Sequence, residues 1–287
     1  MSSDTQQKQG AHAPKKRTGL IALVVLIAAI AIAAVVFIAV GAGMSEPSSD
    51  EGALDVAEPE YNAEGQLTNP VDWNTWIERN PDVYAWVKID DTDVDEPILQ
   101  HPLEDNYYLN RDVDGQRGGY GALYTQGSHN SKNLGEDPVT IVYGHTFQNN
   151  VEMFSTLHNL EDAEFFESHP EFYIYTPTER LTYEIVSAFE YGNDHILETQ
   201  DMSDTAVRQA FYDMVQDPDS LNKNVRTLDV PLDAETDKLL VLSTCTKPSN
   251  PNARYLIVAK LVAEEPTETV EISADGSNEV IDEGVLE

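Results

Sequence analysis

The sequence predicts a mainly β protein: a closed eight-stranded barrel with a few helices, preceded by one transmembrane helix. Three observations carry this. Leu20 to Val40 is an unbroken apolar run without a charge, and at 1.5 Å per residue it spans roughly 30 Å, the thickness of a bilayer's hydrocarbon core. Beyond it, eight short runs rich in β-branched and aromatic residues lie between Gly, Pro, Asn and Asp clusters, which is the pattern of strands. Few stretches show helical periodicity, so helices cannot cover both faces of a parallel sheet, and closure is the way left to remove the edges.

From the N-terminus, residues 1–19 form a cytoplasmic tail. Lys15, Lys16 and Arg17 precede the apolar run and no basic residue follows until Arg79, so the positive-inside rule sets the N-terminus in the cytoplasm and the rest outside. A cleaved signal peptide is the competing reading, weakly supported by the small residues around Ala42; its apolar region would be only about 7 to 15 residues long. Residues 41–68 are Ser, Glu, Asp, Pro and Gly with Tyr61 the one aromatic, a composition too poor in apolar surface to order itself, hence a flexible extracellular linker. Residues 264–287 carry acids but no basic or aromatic residue and read as a disordered acidic tail. Residues 69–263, with all three Trp, form one domain.

Within it, Asn69 is expected to cap a short helix begun by Pro70 and running through Trp73, Trp76 and Ile77. The strands are expected at 84–89, 96–100, 120–125, 140–143, 172–176, 182–189, 238–244 and 255–261. Between the fourth and fifth, Met153, Phe154 and Leu157 share one helical face in 152–158. Between the sixth and seventh, Val207, Ala210, Phe211, Met214 and Val215 follow the i, i+3, i+4, i+7, i+8 spacing after an expected Ser203 cap.

Composition excludes several functions. With 51 acidic residues against 17 basic and a net charge of -34, the chain lacks the basic footprint that nucleic acid requires. Acids are too abundant for any carboxylate pair to mean much. The seven His and one Cys show no metal-ligand spacing, and no phosphate-binding glycine loop is present, so no cofactor is expected. The lone thiol remains. Cys245 closes the run Leu239-Leu240-Val241-Leu242-Ser243-Thr244 and meets the turn-forming Thr246-Lys247-Pro248, which sets it at a barrel rim; a buried structural cysteine is the bland alternative. Arg254 heads the following strand, and two strands joined by a short loop are antiparallel neighbours, so Arg254 can approach Cys245. His145 ends the β run Thr140-Ile141-Val142-Tyr143-Gly144. His12 is cytoplasmic, and His101, His129, His158, His169 and His195 fall in loops or helix-like segments.

These residues resemble the sortases, membrane-anchored cysteine transpeptidases of Gram-positive bacteria. Leu242-Ser243-Thr244-Cys245 is similar to the family's Thr-Leu-x-Thr-Cys signature, Arg254 falls at its arginine, and Tyr143-Gly144-His145 matches its Tyr-Gly-His. Asp105-Asn106-Tyr107-Tyr108-Leu109, the helix at 203–216 and the helical extension before the first strand resemble class B members. Two positions depart: Val241 stands where the signature has Thr, and Gly121-Ala122-Leu123-Tyr124 where class B more often has Gly-x-Ile-Phe.

The resemblance implies catalytic roles for His145, Cys245 and Arg254. Cys245 is the nucleophile, Arg254 binds the substrate carbonyl or oxyanion, and His145 serves as general acid and then base. It implies a secreted protein with a C-terminal sorting motif as substrate, a thioester acyl-enzyme, and an amine of a peptidoglycan precursor or of a pilin lysine as acceptor. A cysteine hydrolase that passes the acyl group to water, or an inactive surface-binding module on the same scaffold, are the rival readings.

Overall fold

The computed structural model describes residues 60–147, 151–246 and 252–268. The expected transmembrane helix at 20–40, most of the linker and most of the acidic tail lie outside these. Among the described residues no helix is long and apolar enough to cross a membrane.

All eight expected strands form, and a ninth joins them. β1 (Val83–Lys88), β2 (Asp95–Leu99), β3 (Leu123–Tyr124), β4 (Val139–Tyr143), β5 (Glu171–Tyr175), β6 (Glu179–Gly192), β7 (Lys223–Val225), β8 (Leu239–Cys245) and β9 (Ala253–Pro266) make one sheet in the order β5-β1-β2-β3-β4-β8-β9-β6-β7. An additional β5–β6 pairing closes eight of them into a barrel, with β7 left on the outside of β6. Closure leaves no long exposed edge to template aggregation.

Among the described residues four α-helices decorate the barrel: α1 (Trp73–Arg79), α2 (Ala163–Ser168), α3 (Ile196–Thr199) and α4 (Thr205–Gln216). Their starts differ from the sequence reading. Asp72, not Asn69, caps α1 by accepting from the Thr75 backbone amide; the Asn69 side-chain Nδ2 instead donates to the Thr176 carbonyl at 2.7 Å, pinning the chain entrance to the barrel. Asp204, one residue past the expected Ser203, caps α4 by accepting from the Ala206 and Val207 amides. Both residues are acceptable caps, and the carboxylate also suits the positive helix end. The segment expected as a helix at 152–158 is a 3-10 helix over Ser155–Glu161 followed by α2. Its apolar face is nonetheless as expected: Met153, Phe154 and Leu157 are buried in the barrel core.

The domain edges also extend further than composition suggests. Leu67 bridges Tyr61 and Thr267, and β9 continues to Pro266. The end of the linker and the start of the acidic tail are therefore tied together, since backbone pairing needs no apolar side chain.

Strand side chains alternate between two faces, and each face has its own core. Inside the barrel, Leu240, Leu242, Tyr255, Ile257 and Ala259 pack with Val142, Phe154 and Leu157. Outside it, Val139, Ile141, Leu239, Val241, Leu256 and Val258 pack beneath α4 through Phe211, Tyr212 and Val215. Gly144, directly after β4, points inward. A Cβ there would lie 2.5 Å from Phe154 Cδ2 and closer still to the Leu123 side chain, so only glycine lets the plug at Phe154 seat against the strand end. Gly144→Ala should cost about 1 to 3 kcal/mol through overpacking, read as a lowered thermal unfolding midpoint.

Candidate active site

Strand register assembles the site. β8 runs antiparallel to β9 with Cys245 directly opposite Arg254, so the two side chains leave the same face as close cross-strand neighbours. β4 runs parallel to β8 with Tyr143 opposite Ser243. By alternation Tyr143, His145, Ser243, Cys245, Arg254 and Leu256 all face outward. The thiol is thus not in the mouth of the barrel, as its position at a strand end suggests, but on the outer surface of the sheet. There it lines a cleft of about 240 Å³.

The cleft is walled on one side by the β6–β7 connection through Asn193, Asp194 and His195, and on the other by Asn106 and Leu109 of the β2–β3 connection. All three side chains expected from the sequence, His145, Cys245 and Arg254, line it. Arg254 Nη1 lies 3.9 Å from Cys245 Sγ. The His145 Nε2 hydrogen is donated to the Leu109 carbonyl at 2.7 Å, which fixes the ring's tautomer and leaves the Nδ1 lone pair to take a proton. Gly121 makes this approach possible: its φ of +77° favours glycine, and a Cβ would stand 3.2 Å from His145 Cδ2.

The electrostatics are those of a coupled pair. A hydrogen bond with His145 lowers the Cys245 thiol below its ordinary value; burial opposes this, and the Arg254 charge adds to the lowering. The same bond to Cys245 raises His145, against burial and the repulsion of Arg254, with help from the Leu109 carbonyl. Each group favours the charged form of the other.

Two tyrosines line the cleft beside the sulfur. Tyr124 stacks on Tyr143 with centroids 5.5 Å apart, and burial pushes the Tyr124 phenol up to about 12 and Tyr143 upward too. The Tyr143 hydroxyl lies 3.3 Å from His195 Nε2, and Gln126 Oε1 accepts from that nitrogen at 2.7 Å. Val241, the departure from the family signature, is fully buried in the layer under α4 and does not line the cleft, so a hydroxyl there would be desolvated rather than offered to substrate.

Two histidines set aside in the sequence prove close to the site. His195 lines the cleft, and His158 reaches the Cys245 carbonyl at 3.2 Å from the barrel side. No sequence signal marks either, because the contacts join residues 52 to 87 positions apart. One group among the described residues has spacing suited to a metal ion: His129, His195 and Glu198 bring ligand atoms within 4.8 Å of one another. Both nitrogens of His195 are already engaged, by Gln126 and by the Glu198 amide, so an ion there would have to displace existing bonds.

A depressed thiol between an imidazole and a guanidinium, in an open cleft, is the equipment of a cysteine enzyme acting on acyl groups. The sortase domain model matches residues 87–262. Sortase B of Listeria monocytogenes is 25% identical over 229 residues, covering 78% of this chain and 89% of that protein. Sortase B of Staphylococcus aureus is 27% identical over 185 residues, covering 64% and 71%. The crystal structure of sortase B from B. anthracis superposes with a TM-score of 0.56 at 25% identity, covering 73% of this chain and 90% of that one. The chain belongs to the sortase family. It is a class B-like sortase, a cysteine transpeptidase.

The coupling predicts a specific titration. Because His145 lowers the thiol, alkylation of Cys245 by iodoacetamide should rise through an inflection below pH 9.0, the ordinary value. His145→Ala should move that inflection upward, since the largest lowering cause is then gone, and Arg254→Ala should move it upward by less.

Proposed function

We propose that Cys245, His145 and Arg254 perform the transfer, and that the protein does so outside the cell membrane, held there by residues 20–40 with the N-terminus in the cytoplasm. The direct opposition of Cys245 and Arg254, with His145 coupled to the same sulfur, is the observation that carries this reading. The Cys245 thiolate attacks the carbonyl of the scissile peptide in a C-terminal sorting motif. As the C–N bond breaks, His145 gives its proton to the leaving nitrogen and a thioester remains on Cys245. An amine then attacks the thioester; His145 takes its proton, the new C–N bond forms, and the C–S bond breaks to regenerate the thiolate.

Arg254 cannot act as a base, because guanidinium has donors and no acceptor. Its place beside the sulfur suits it to hold the oxygen on which negative charge develops in both steps. The acceptor amine belongs to a peptidoglycan precursor or to a pilin lysine. Tethering at the membrane confines enzyme, membrane-retained substrate and wall precursor to one thin layer, which raises effective concentration without new contacts.

The test uses the full chain in detergent micelles with a sorting peptide and an amine, and weighs the products. A peptide–amine ligation product is expected, and Cys245→Ala should abolish it. Ligation that persists in Cys245→Ala overturns the assignment, and cleavage without ligation points to water as acceptor. Arg254→Lys keeps the charge but loses the fork, and should lower kcat by about 10² to 10³ with little change in KM.

The pH dependence has a definite sign. The working form needs a thiolate and a protonated His145, so activity falls at low pH as the thiolate is lost and at high pH as His145 loses its proton. With the thiol lowered from 9.0 and His145 raised from 6.5, kcat/KM should trace a bell whose acid limb lies below pH 9.0 and whose alkaline limb lies above pH 6.5.

A further inference from the structure

On the barrel side of the sheet, behind the reactive sulfur, a second set of polar side chains is joined without a gap. His158 Nδ1 lies 2.6 Å from Glu161 Oε1, and its Nε2 lies 3.2 Å from the Cys245 carbonyl and 3.4 Å from Thr146 Oγ1. Thr146 Oγ1 lies 2.7 Å from Thr244 Oγ1, which donates to the Gly144 carbonyl at 2.8 Å. His158 also stacks on Tyr255, centroids 4.9 Å apart, and the side chains of His158 and Glu161 are only 11% and 23% exposed.

Hydrogen accounting gives this chain a direction. The Gly144 carbonyl can only accept, so it takes the Thr244 hydroxyl hydrogen. The Thr146–Thr244 bond must then be donated by Thr146, whose other acceptor, the Phe154 carbonyl, is far longer at 3.5 Å. With its hydrogen spent, Thr146 can only accept from His158. The Cys245 carbonyl can only accept as well. Nε2 of His158 therefore faces acceptors alone and carries a hydrogen, and the Glu161 carboxylate, itself an acceptor, calls for a second hydrogen on Nδ1 and so fixes the ring plane.

We propose that His158 and Glu161 form a positioning dyad for the transfer reaction. Through Cys245 C=O, Thr244 and Thr146 the dyad clamps the end of β8, which carries the nucleophile, to the end of β4, which carries His145. Neither residue touches substrate. The sheet lies between the dyad and the cleft, so the effect passes through the backbone of Cys245 and Gly144. Misplacing reacting groups by about 1 Å can cost roughly 10² in rate.

This inference rests on the catalytic reading above, and the experiment separates the two. Peptide–amine transfer is followed at steady state with the full chain in micelles, for wild type, His158→Leu, His158→Gln and Glu161→Gln. His158→Leu should lower kcat by about tenfold or more with KM within about twofold of wild type, as removal of a group orienting another typically does. His158→Gln retains an amide hydrogen for the Cys245 carbonyl and should recover most of the loss, and Glu161→Gln should lie between. Thr244→Val added to His158→Leu should cost less than the two separate losses combined, because both break one network.

Absence of transfer by the wild type would sink the catalytic reading. Wild-type transfer with unchanged kcat in His158→Leu overturns the dyad alone, as does His158→Gln performing no better than Leu while both melt at the wild-type temperature. Should His158→Leu fail to fold, His158→Asn, too short to reach the Cys245 carbonyl, takes its place: kcat lowered by about tenfold supports the dyad, and unchanged kcat overturns it.

Discussion

The site depends on one constraint, the register of β8 against β9. Register in a sheet is quantised: a slip of one residue sends every side chain to the opposite face. With Cys245 opposite Arg254, sulfur and guanidinium leave the sheet together. Displaced by one, the sulfur would face Tyr255 and the barrel core. Seven consecutive pairs from Leu239–Lys260 to Cys245–Arg254 hold this register, and both cores enforce it, because β8 buries alternate residues inside the barrel and under α4. A buried two-faced strand has no polar side to show, so the apolar pattern alone does not choose the register. The partner strands, with their own packing, do.

Electrostatics then select the working state. Two unit charges 3.9 Å apart attract by roughly 4 kcal/mol at an effective dielectric near 20, enough to matter for a thiolate beside Arg254. That gross attraction is opposed by the burial of the thiol, and the His145 hydrogen bond remains the larger lowering influence. Arg254 is thus better used on charge that appears during reaction. A thiolate of very low proton affinity would be a poorer nucleophile and a better leaving group, whereas a thiol that shares its proton with an imidazole can give that proton up and receive it back. In the proposed mechanism the labour divides by geometry: imidazole shares the sulfur's proton, and guanidinium waits for the oxygen.

Much of this was legible in the sequence, for identifiable reasons. The eight strands were readable because β-branched and aromatic runs are bounded by turn residues; β7 was not, since Lys223-Asn224-Val225 is too short and polar to signal. Cys245 and Arg254 could be paired because a short loop joins their strands, making the contact nearly local. His145 was marked by its place at a strand end, but its role came from the family resemblance, as the parallel pairing of β4 and β8 crosses about a hundred residues with no local trace. Helix caps failed by one to three positions where two good capping residues lie close together, and only the tertiary contacts decide between them. Asn69 lost its capping role because its amide was needed at Thr176. His158 and His195 were invisible for the same reason, since a lone histidine in a loop has no spacing to betray its partner.

The outward placement of the chemistry also explains how one thin sheet can serve stability and catalysis together. A thiol inside the barrel would be dry, packed and unreachable by a peptide. A thiol on a fully solvated surface would lose the dielectric advantage that makes its neighbours effective. Here the inner face of the strand ends is a packed plug of Phe154, Leu157 and Tyr255, while the outer face opens into a cleft whose walls come from two connections rather than from strands. Loop walls can vary without disturbing the barrel, so substrate choice is free to change while the pairing that aligns sulfur, guanidinium and imidazole stays fixed. Val241 illustrates the boundary: two residues before Ser243 the same outer face is already sealed beneath α4, and an apolar side chain is the better occupant. The reactive surface is confined to the last few residues of β4 and β8 and the first of β9, where burial gives way to solvent and backbone pairing still holds.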